Sequence, residues 1–334
     1  MIQLTFMKLL RTLLVLSLAA GTAAVAAEPK KVIVCTVTTG FRHSSIPYAE
    51  KTLQKLADES KTFTIVDWVQ QPKDVPKAPN KPGDLKADAD EKAKTKYAAD
   101  LAKYEAAQKE WEATGKAKAA DAQKAADAEM KTQMAKLSPE NLAKVDGVIF
   151  ANTTGDLPLP DKEGFIKWIE AGHGFMAMHS GSDTFHGFKG YIEMLGGEFE
   201  THKAQVPVDL IVADPAHPAA KGLPNPWDLA QEEMYLFKNH DAAKVHRILY
   251  LKHHPNEPQT AGYYGVSWCK MAGQGKVFYT SLGHREDLWS DDPSLKDRKN
   301  SIETSKKFQE HILGGIKWAL GLEQGSAEPQ TEKP

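Results

Sequence analysis

The stretch VDGVIFANTTGDLPLPDKEGFIKWIEAGHGFMAMH, residues 145–179, decides the fold class of this 334-residue chain. Its two apolar runs, 145–152 and 174–179, predict buried β-strands. Between them, residues 161–171 carry apolar side chains at helical spacing, and Gly172 stops the helix. A strand, a helix and a second strand in this order are typical of parallel α/β sheets.

The same alternation continues on both sides of this unit. Upstream, KVIVCTVT (31–38) predicts a first strand, residues 47–60 predict a helix, and residues 63–68 predict a second strand. Downstream, the remaining predicted elements are four strands and a C-terminal helix, over residues 206–212, 247–251, 264–271, 275–281 and 303–320. The sequence therefore predicts an α/β fold with a doubly wound, mostly parallel sheet.

Residues 72–137 do not follow this alternation. The segment opens with a proline-rich linker and continues as an Ala/Lys/Asp/Glu-rich stretch, a composition that favours long helices. We predict an inserted helical hairpin that turns at Thr114–Gly115, with a partly disordered spacer as the alternative. The α/β domain then comprises residues 28–71 and 138–322, and the polar tail 323–334 is expected to be disordered.

The first 27 residues have the pattern of a secretory signal peptide. Lys8 supplies a positive charge before an apolar run, and the stretch from Ala24 to Ala27 offers small residues for cleavage. The apolar run is shorter than the roughly 20 residues that a membrane span needs. We therefore expect an exported protein, periplasmic or extracellular, with no membrane segment after cleavage.

Composition excludes several classes of protein. With 26% charged and 41% hydrophobic residues, the chain is neither wholly disordered, nor collagen-like, nor a polytopic membrane protein. The net charge of -2 lacks the basic excess of nucleic-acid binders, so we expect no nucleic-acid partner. Two cysteines, Cys35 and Cys269, cannot build a disulfide scaffold or a cysteine-based zinc site, and the sequence leaves open whether they pair.

Polar side chains, several of them histidines, follow the predicted strands. Ligands of open α/β sheets bind beyond the carboxyl ends of the strands, so these positions are the candidates for a site. The candidates for catalysis are His179 and Asp183. The candidates for substrate binding are Phe41, Arg42, His43, Ser180, His202, Glu233 and His284.

The residue types leave several kinds of chemistry open. His179 and Asp183 form one possible acid/base pair, since imidazole titrates near neutral pH and a carboxylate can orient it. Ser180 as a nucleophile is a weaker alternative, because the segment is not G-x-S-x-G. A divalent metal ion is a further alternative, although no tight ligand motif supports it. Its candidate ligands are His43, His179, His202 and His284, with Glu233 or Asp183. The remaining alternative is a polar pocket without catalysis.

Six stretches together resemble the ThuA-like (trehalose-utilisation) family. They occur in the family's order and span nearly the whole chain apart from residues 1–27 and the insertion. The resemblance implies the class I glutamine amidotransferase-like fold, a flavodoxin-like arrangement. The stretches are GFRHSSIP (40–47), GFMAMHSGSDTFHGF (174–188), GGEFETH (196–202), DPAHPAAKGLP (214–224), EEMYLF (232–237) and GKVFYTSLGH (275–284).

The resemblance also excludes one activity and implies another. Amidotransferases carry a nucleophilic cysteine at the turn where this chain has His179, so thiolate glutaminase chemistry is excluded at this turn. The family implies carbohydrate metabolism: a glycoside or keto-sugar as ligand, with isomerisation, elimination or hydrolysis by His/carboxylate chemistry, with or without a metal. The alternatives are a non-catalytic sugar-binding or accessory protein and a scaffolding role. The insertion would then bind a protein partner or mediate self-association.

Overall fold

The computed structural model describes residues 28–330, so the predicted signal peptide lies outside the described residues. Within this range the strands are β1 (Lys30–Cys35), β2 (Phe63–Val69), β3 (Gly147–Ala151), β4 (Gly174–Met178), β5 (Glu198–His202), β6 (Val206–Val212), β7 (Trp227–Glu232), β8 (Tyr235–Lys238), β9 (His246–His254), β10 (Glu257–Ala272) and β11 (Gly275–Thr280). The helices are α1 (Ile46–Ser60), α2 (Glu91–Glu110), α3 (Lys116–Ala135), α4 (Pro139–Leu142), α5 (Lys162–Glu170), α6 (Lys189–Leu195), α7 (Glu286–Trp289) and α8 (Ile302–Ala319).

A nine-stranded sheet organises the molecule, in the order β2-β1-β3-β4-β11-β10-β9-β6-β7. The five strands from β2 to β11 are parallel, whereas β10, β9, β6 and β7 pair antiparallel. The prediction of a mostly parallel sheet therefore holds for one half only. The other half is antiparallel because short turns connect β9, β10 and β11 directly, and parallel pairing would need long crossovers.

Apolar side chains cover both faces of the sheet. One buried cluster joins the sheet to α1 and α8, and includes Leu53 and Ile312. The other joins it to α5 and α6, and includes Phe165 and Tyr191. Cys35 and Cys269 are both buried and free, and burial raises the pKa of the Cys35 thiol to about 12. They therefore act as small core residues.

The insertion differs from the predicted hairpin. The helices α2 and α3 form one continuous rod, joined by a π-helical turn over Trp111–Gly115 rather than by a reversal of the chain. Gly115 is helical (φ -62°), and a Cβ there would lie 2.5 Å from the Trp111 ring. Its lack of a side chain makes room for the Trp111 indole, and one glycine costs a helix of good formers only about 1 kcal/mol.

The rod is anchored to the core only at its carboxyl end. Met134 and Leu137 are buried in the second apolar cluster, and Lys136 donates to the carbonyl of Trp68. None of the side chains of α2 is buried. Association of another protein or a second copy with this rod stays a prediction, and comparing the oligomeric state after residues 81–115 are replaced by a short linker tests it.

The C-terminal tail also differs from the prediction. Residues 323–330 pack along the core instead of being disordered, and 331–334 lie outside the described residues. The indole of Trp318 donates to the Gly325 carbonyl, and His246 bonds to the Glu328 carbonyl. These bonds satisfy buried polar groups beside β9, which composition alone does not reveal.

Buried His311 on α8 makes stability pH-dependent. Burial lowers the pKa of its imidazole to about 4, from 6.5 in the unfolded chain. Below pH 6.5 the unfolded chain therefore binds a proton that the folded chain does not, and stability falls as pH falls toward 4. From this residue we expect a loss of about 2 kcal/mol between pH 6.5 and pH 5.

Urea unfolding at both pH values measures this contribution. His311→Gln removes the titrating group, so the variant should lose about 2 kcal/mol less than the wild type over this pH interval. The matched control is His253→Gln, because His253 is exposed on β9. Equal pH dependence in the wild type and in His311→Gln would refute the account of this residue.

Candidate functional site

Three histidines that follow three parallel strands of the sheet meet at one point. His43 follows β1, His179 follows β4 and His284 follows β11, and these parallel strands lie close together in the sheet. The Nε2 atoms of His43 and His179 are 3.1 Å apart, and the ring of His284 is 5.3 Å from each of the other two rings. The sheet thus brings together side chains that are more than 100 residues apart in sequence.

His179 occupies a strained turn directly after β4. Its φ of 47° lies in the left-handed region, which residues other than glycine rarely adopt, and the next residues form a short 3-10 helix. The hydroxyl of Tyr279 donates to the His179 carbonyl at 2.8 Å and holds the turn. Such strain is common at functional sites, where the surrounding structure holds a side chain in a fixed direction.

Glu233 completes the group from the loop between β7 and β8. One oxygen, Oε2, is 3.1 Å from His284 Nδ1 and 3.8 Å from His179 Nε2. The other oxygen, Oε1, is 2.9 Å from His202 Nδ1. We call His43, His179, Glu233 and His284 the His–Glu cluster. The Glu233 carboxylate therefore faces the imidazoles of His179, His202 and His284.

Burial determines the charge of the innermost imidazoles. His179 is fully buried, which lowers the pKa of its imidazole well below 6.5, and the neighbouring histidines lower it further. Burial, followed by the charge of His284, lowers the pKa of His43 to about 4. Burial alone would also lower the pKa of His284, but Glu233 outweighs this effect and raises it. The cluster therefore pairs two neutral imidazoles with a more basic third.

Glu232, which was not among the predicted site residues, supports the His284 loop. Its Oε1 accepts from the backbone N–H of His284 at 2.8 Å and of Gly283 at 3.3 Å. Burial raises the pKa of this carboxyl to about 7. Glu232 therefore holds the loop through backbone hydrogen bonds, while its neighbour Glu233 faces the imidazoles.

Of the four other residues predicted for substrate binding, three contact the cluster. Phe41 is 67% exposed and packs edge-on against His43, with ring centroids 4.8 Å apart. Ser180 Oγ lies 3.3 Å from His43 Nδ1. His202 is exposed at the end of β5 and contacts Glu233. Arg42 instead points away from the cluster, donating to the Thr36 carbonyl.

Arg42 lines a separate polar cavity of about 690 Å³ beside the cluster. The cavity lies between the loop after β1, the proline-rich linker and α3 of the insertion. Gln123 and Asp127 contribute from α3, and Gln71 and Asp74 contribute from the linker. The insertion thus reaches the same edge of the sheet as the cluster.

The structure does not pair Asp183 with His179, as the sequence analysis expected. Among the described residues, Asp183 hydrogen-bonds to His186, whose other ring nitrogen is 2.8 Å from Glu198. The group that orients His179 is the backbone carbonyl of Ser281, which accepts from Nδ1 at 2.7 Å. The 3-10 helix after His179 moves Asp183 away from the imidazole, and a backbone carbonyl leaves no signal in the sequence.

Sequence reasoning also missed Tyr235 and Asn152. The Tyr235 hydroxyl is 3.0 Å from His179 Nε2. The Asn152 amide donates to Ser45 Oγ at 3.0 Å and to the Gly283 carbonyl at 2.9 Å, which ties three strand ends together. Tyr235 lies inside the quoted motif EEMYLF and Asn152 ends the first quoted strand, but neither residue type indicates such a role by itself.

The fold and the cluster define an α/β protein with a histidine–carboxylate site at the carboxyl edge of its sheet. The chain belongs to the ThuA family, because the family model described as "Trehalose utilisation" matches residues 31–319. The resemblance predicted from the sequence is therefore confirmed, and it assigns the chain a role in carbohydrate utilisation.

Solved structures agree on the fold. The crystal structure of a ThuA-like protein from Parabacteroides merdae has 14% identity and a TM-score of 0.54, and the match covers 91% of this chain and 96% of that chain. A ThuA-like protein from Bacteroides uniformis has 15% identity and a TM-score of 0.53, with 89% and 94% covered. None of the curated proteins matches the sequence. Within residues 28–330, no helix is both long enough and apolar enough to cross a membrane.

Proposed function

We propose that this protein is an exported carbohydrate-utilisation enzyme that acts on a glycoside or keto-sugar by acid–base chemistry at the His–Glu cluster. The observation that carries the proposal is the convergence of three imidazoles and one carboxylate at the sheet edge where α/β proteins bind ligands. Membership of the ThuA family supplies the class of substrate.

The proposed reaction begins with removal of a proton next to a sugar ketone. In a 3-keto-glycoside the carbonyl at C3 acidifies the proton on C2. The Nδ1–H of His179 donates to the Ser281 carbonyl, so the lone pair of this imidazole lies on Nε2, which faces the interior of the cluster. Nε2 takes the proton, and the electron pair of the C–H bond moves onto the C3 oxygen as an enediolate.

Hydrogen-bond donors stabilise the charge that develops on this oxygen. The Tyr235 hydroxyl, whose pKa is raised well above 10 by burial, stays protonated and donates to the interior of the cluster. Return of the proton to a neighbouring carbon gives isomerisation. Expulsion of the group on C1, with the proton delivered to the leaving oxygen, gives elimination.

Phe41 suits a platform for the sugar ring. Its ring is largely exposed at the rim, next to His43, and the apolar face of a pyranose stacks on such rings. His43, which the Phe41 ring contacts, is buried, and so is His179, whose ring contacts His43 in turn. This gradient from an exposed aromatic ring to buried imidazoles supports entry of a small polar ligand from the rim.

A time course of proton NMR spectra tests the proposal. Untagged protein is mixed with 3-keto-trehalose and, separately, with trehalose, and we expect the keto-sugar to be consumed. His179→Ala should lower the rate by at least about 100-fold, the usual contribution of a positioned base. Full turnover by His179→Ala would refute the assignment of the base, and no consumption of either sugar by the wild type would refute the enzyme.

A non-catalytic sugar-binding protein is the second candidate. The observation that favours it is the complete burial of His179, both of whose ring nitrogens already have partners. This function predicts saturable broadening of sugar signals in the same spectra without any product. The two functions therefore give different outcomes in one experiment.

Export is part of the proposal and has its own test. The small residues before Glu28 suit a signal peptidase, so the protein recovered from the periplasm or medium should begin at Glu28. N-terminal sequencing of the exported chain measures this, and an intact Met1 terminus on the recovered protein would contradict it.

A further inference from the structure

We propose that His43, His179, His284 and Glu233 bind one divalent transition-metal ion, with Zn²⁺ as the best-suited probe. The inference goes beyond the reaction proposed above, because it concerns a second state of the same residues. An ion on Nε2 of His179 takes the lone pair that serves as the base, so metal binding and proton removal exclude one another. Neutral imidazole and carboxylate are the ligands that zinc and its neighbours in the first transition row accept.

The distances suit a single ion. One ligand atom from each of the four residues lies within 4.8 Å of the other three. In a tetrahedral site with bonds near 2.1 Å, ligand atoms are about 3.4 Å apart. Two pairs are already near this spacing: Nε2 of His43 and Nε2 of His179 are 3.1 Å apart, and so are Nδ1 of His284 and Oε2 of Glu233. Oε2 of Glu233 is 3.8 Å from Nε2 of His179.

The hydrogen bonds of His179 direct a lone pair toward this point. The Ser281 carbonyl can only accept, so Nδ1 of His179 carries the proton and Nε2 does not. Ligating histidines in metalloproteins characteristically donate their second ring N–H to a carbonyl or carboxylate in this way. The arrangement is therefore the one that a metal-binding histidine needs.

His43 has the same arrangement with a different partner. Its Nδ1 lies 3.3 Å from Ser180 Oγ, which can accept a hydrogen bond from the ring N–H, and its Nε2 faces His179. When Nδ1 donates to Ser180, the Nε2 lone pairs of both histidines point at one another. A cation between them removes that repulsion.

Glu233 supplies the negative charge. Its Oε2 lies near both His179 and His284, and the His284 Nδ1 contact at 3.1 Å is not aligned as a hydrogen bond. His202, which the sequence analysis included among the metal candidates, contacts the other oxygen of Glu233 instead. We therefore place His202 outside the ligand set, as a residue that orients the carboxylate.

Tyr235 competes with the ion for one ligand. Its hydroxyl lies 3.0 Å from His179 Nε2, on the lone pair that a metal would take. Binding of the ion therefore requires this hydroxyl to turn away. Tyr235→Phe removes the competitor and should tighten metal binding, by up to a few-fold.

Calorimetric titration of the untagged, chelator-treated full chain with ZnCl₂ tests the site. We expect one Zn²⁺ per chain with a Kd below about 1 µM. His43→Gln and Glu233→Gln should each weaken binding by at least about 100-fold, since loss of even a supporting partner costs 10- to 100-fold. The matched control is His186→Gln, a histidine that lies between two carboxylates outside the cluster and should leave the affinity unchanged.

A second readout keeps the test decisive if a variant is unstable. Co²⁺ bound by imidazole and carboxylate absorbs visible light, and the wild type should show this absorption while folded Glu233→Gln, nearly isosteric, should lose it. Failure of the wild type to bind Zn²⁺, or equal affinity in Glu233→Gln, would overturn the site. Zn²⁺ uptake by a protein that shows no turnover in its metal-free form would support this site and reject only the proposed function. Turnover that Zn²⁺ inhibits would support both.

Discussion

Replacing Glu233 by glutamine is expected to lower kcat/KM on the keto-sugar by at least about 100-fold. The change keeps the shape of the side chain but removes the carboxylate that faces His202 at 2.9 Å and His284 at 3.1 Å. An amide nitrogen at Oε2 would also point a donor at the imidazoles. Steady-state rates followed by NMR measure the effect.

The control for this variant is a second buried carboxylate beside a histidine. Glu198 contacts His186 and Asn239 but lies outside the His–Glu cluster. Glu198→Gln should therefore change kcat/KM by less than about 3-fold, although it removes charge-assisted hydrogen bonds worth about 1.5–3 kcal/mol of stability. A Glu233→Gln enzyme as active as Glu198→Gln would contradict the role of the cluster.

Gly314→Ala is expected to destabilise the fold by about 3 kcal/mol. This glycine lies on α8 where the helix packs on the 3-10 turn at Pro218–Ala220. A Cβ at this position would lie 2.1 Å from the backbone oxygen of Pro218, so the backbone of one element must move. The same α8 surface carries buried His311 and Ile312, so the displacement would disturb the core.

Thermal unfolding measures this loss. A destabilisation of about 3 kcal/mol corresponds to a fall in Tm of about 5 °C for a chain of this size. Gly83→Ala is the matched control, because no atom lies within 4 Å of a Cβ at that position, and its Tm should stay within about 1 °C of the wild type. Equal Tm values for the two variants would contradict the close packing of α8 on Pro218.

The apolar runs of the sequence were enough to find the strands that build the site. The runs at 145–152 and 174–179 became β3 and β4, and the polar residues after them lie at the predicted edge of the sheet. Continuous hydrophobic stretches reveal strands because a strand buried on both faces needs apolar side chains throughout. Parallel pairing then places the carboxyl ends of these strands at the same edge of the sheet.

The length of a strand and the path of the chain between two helices were harder to predict. β10 runs over Glu257–Ala272, longer than the predicted strand 264–271, because its first half projects beyond the core and is polar and exposed. Gly115 suggested a turn, yet its backbone stays helical because the flanking residues are strong helix formers. Local composition does not show whether two helical segments pack side by side as a hairpin or join end to end as one helix.

The candidate site was predicted in its residue types and not in its contacts. The positions of His43, His179, Glu233 and His284 were all singled out by their place after strands or in the quoted motifs. The hydrogen-bond partner of His179 was not predicted, because it is a backbone carbonyl and every residue type has one. Asp183, four residues away, was the nearest visible carboxylate, and the 3-10 helix directs it elsewhere.

The central claim is that the His–Glu cluster removes a proton from the sugar. Solvent-deuterium exchange tests this claim most directly. Untagged protein is placed in D₂O with 3-keto-trehalose, and the proton on C2 is followed by NMR beside a protein-free sample and a Glu233→Gln sample. We predict that the wild type removes the C2 signal or replaces it with product, at a rate at least about 100-fold above Glu233→Gln. Equal loss of the C2 signal in all three samples would contradict the account.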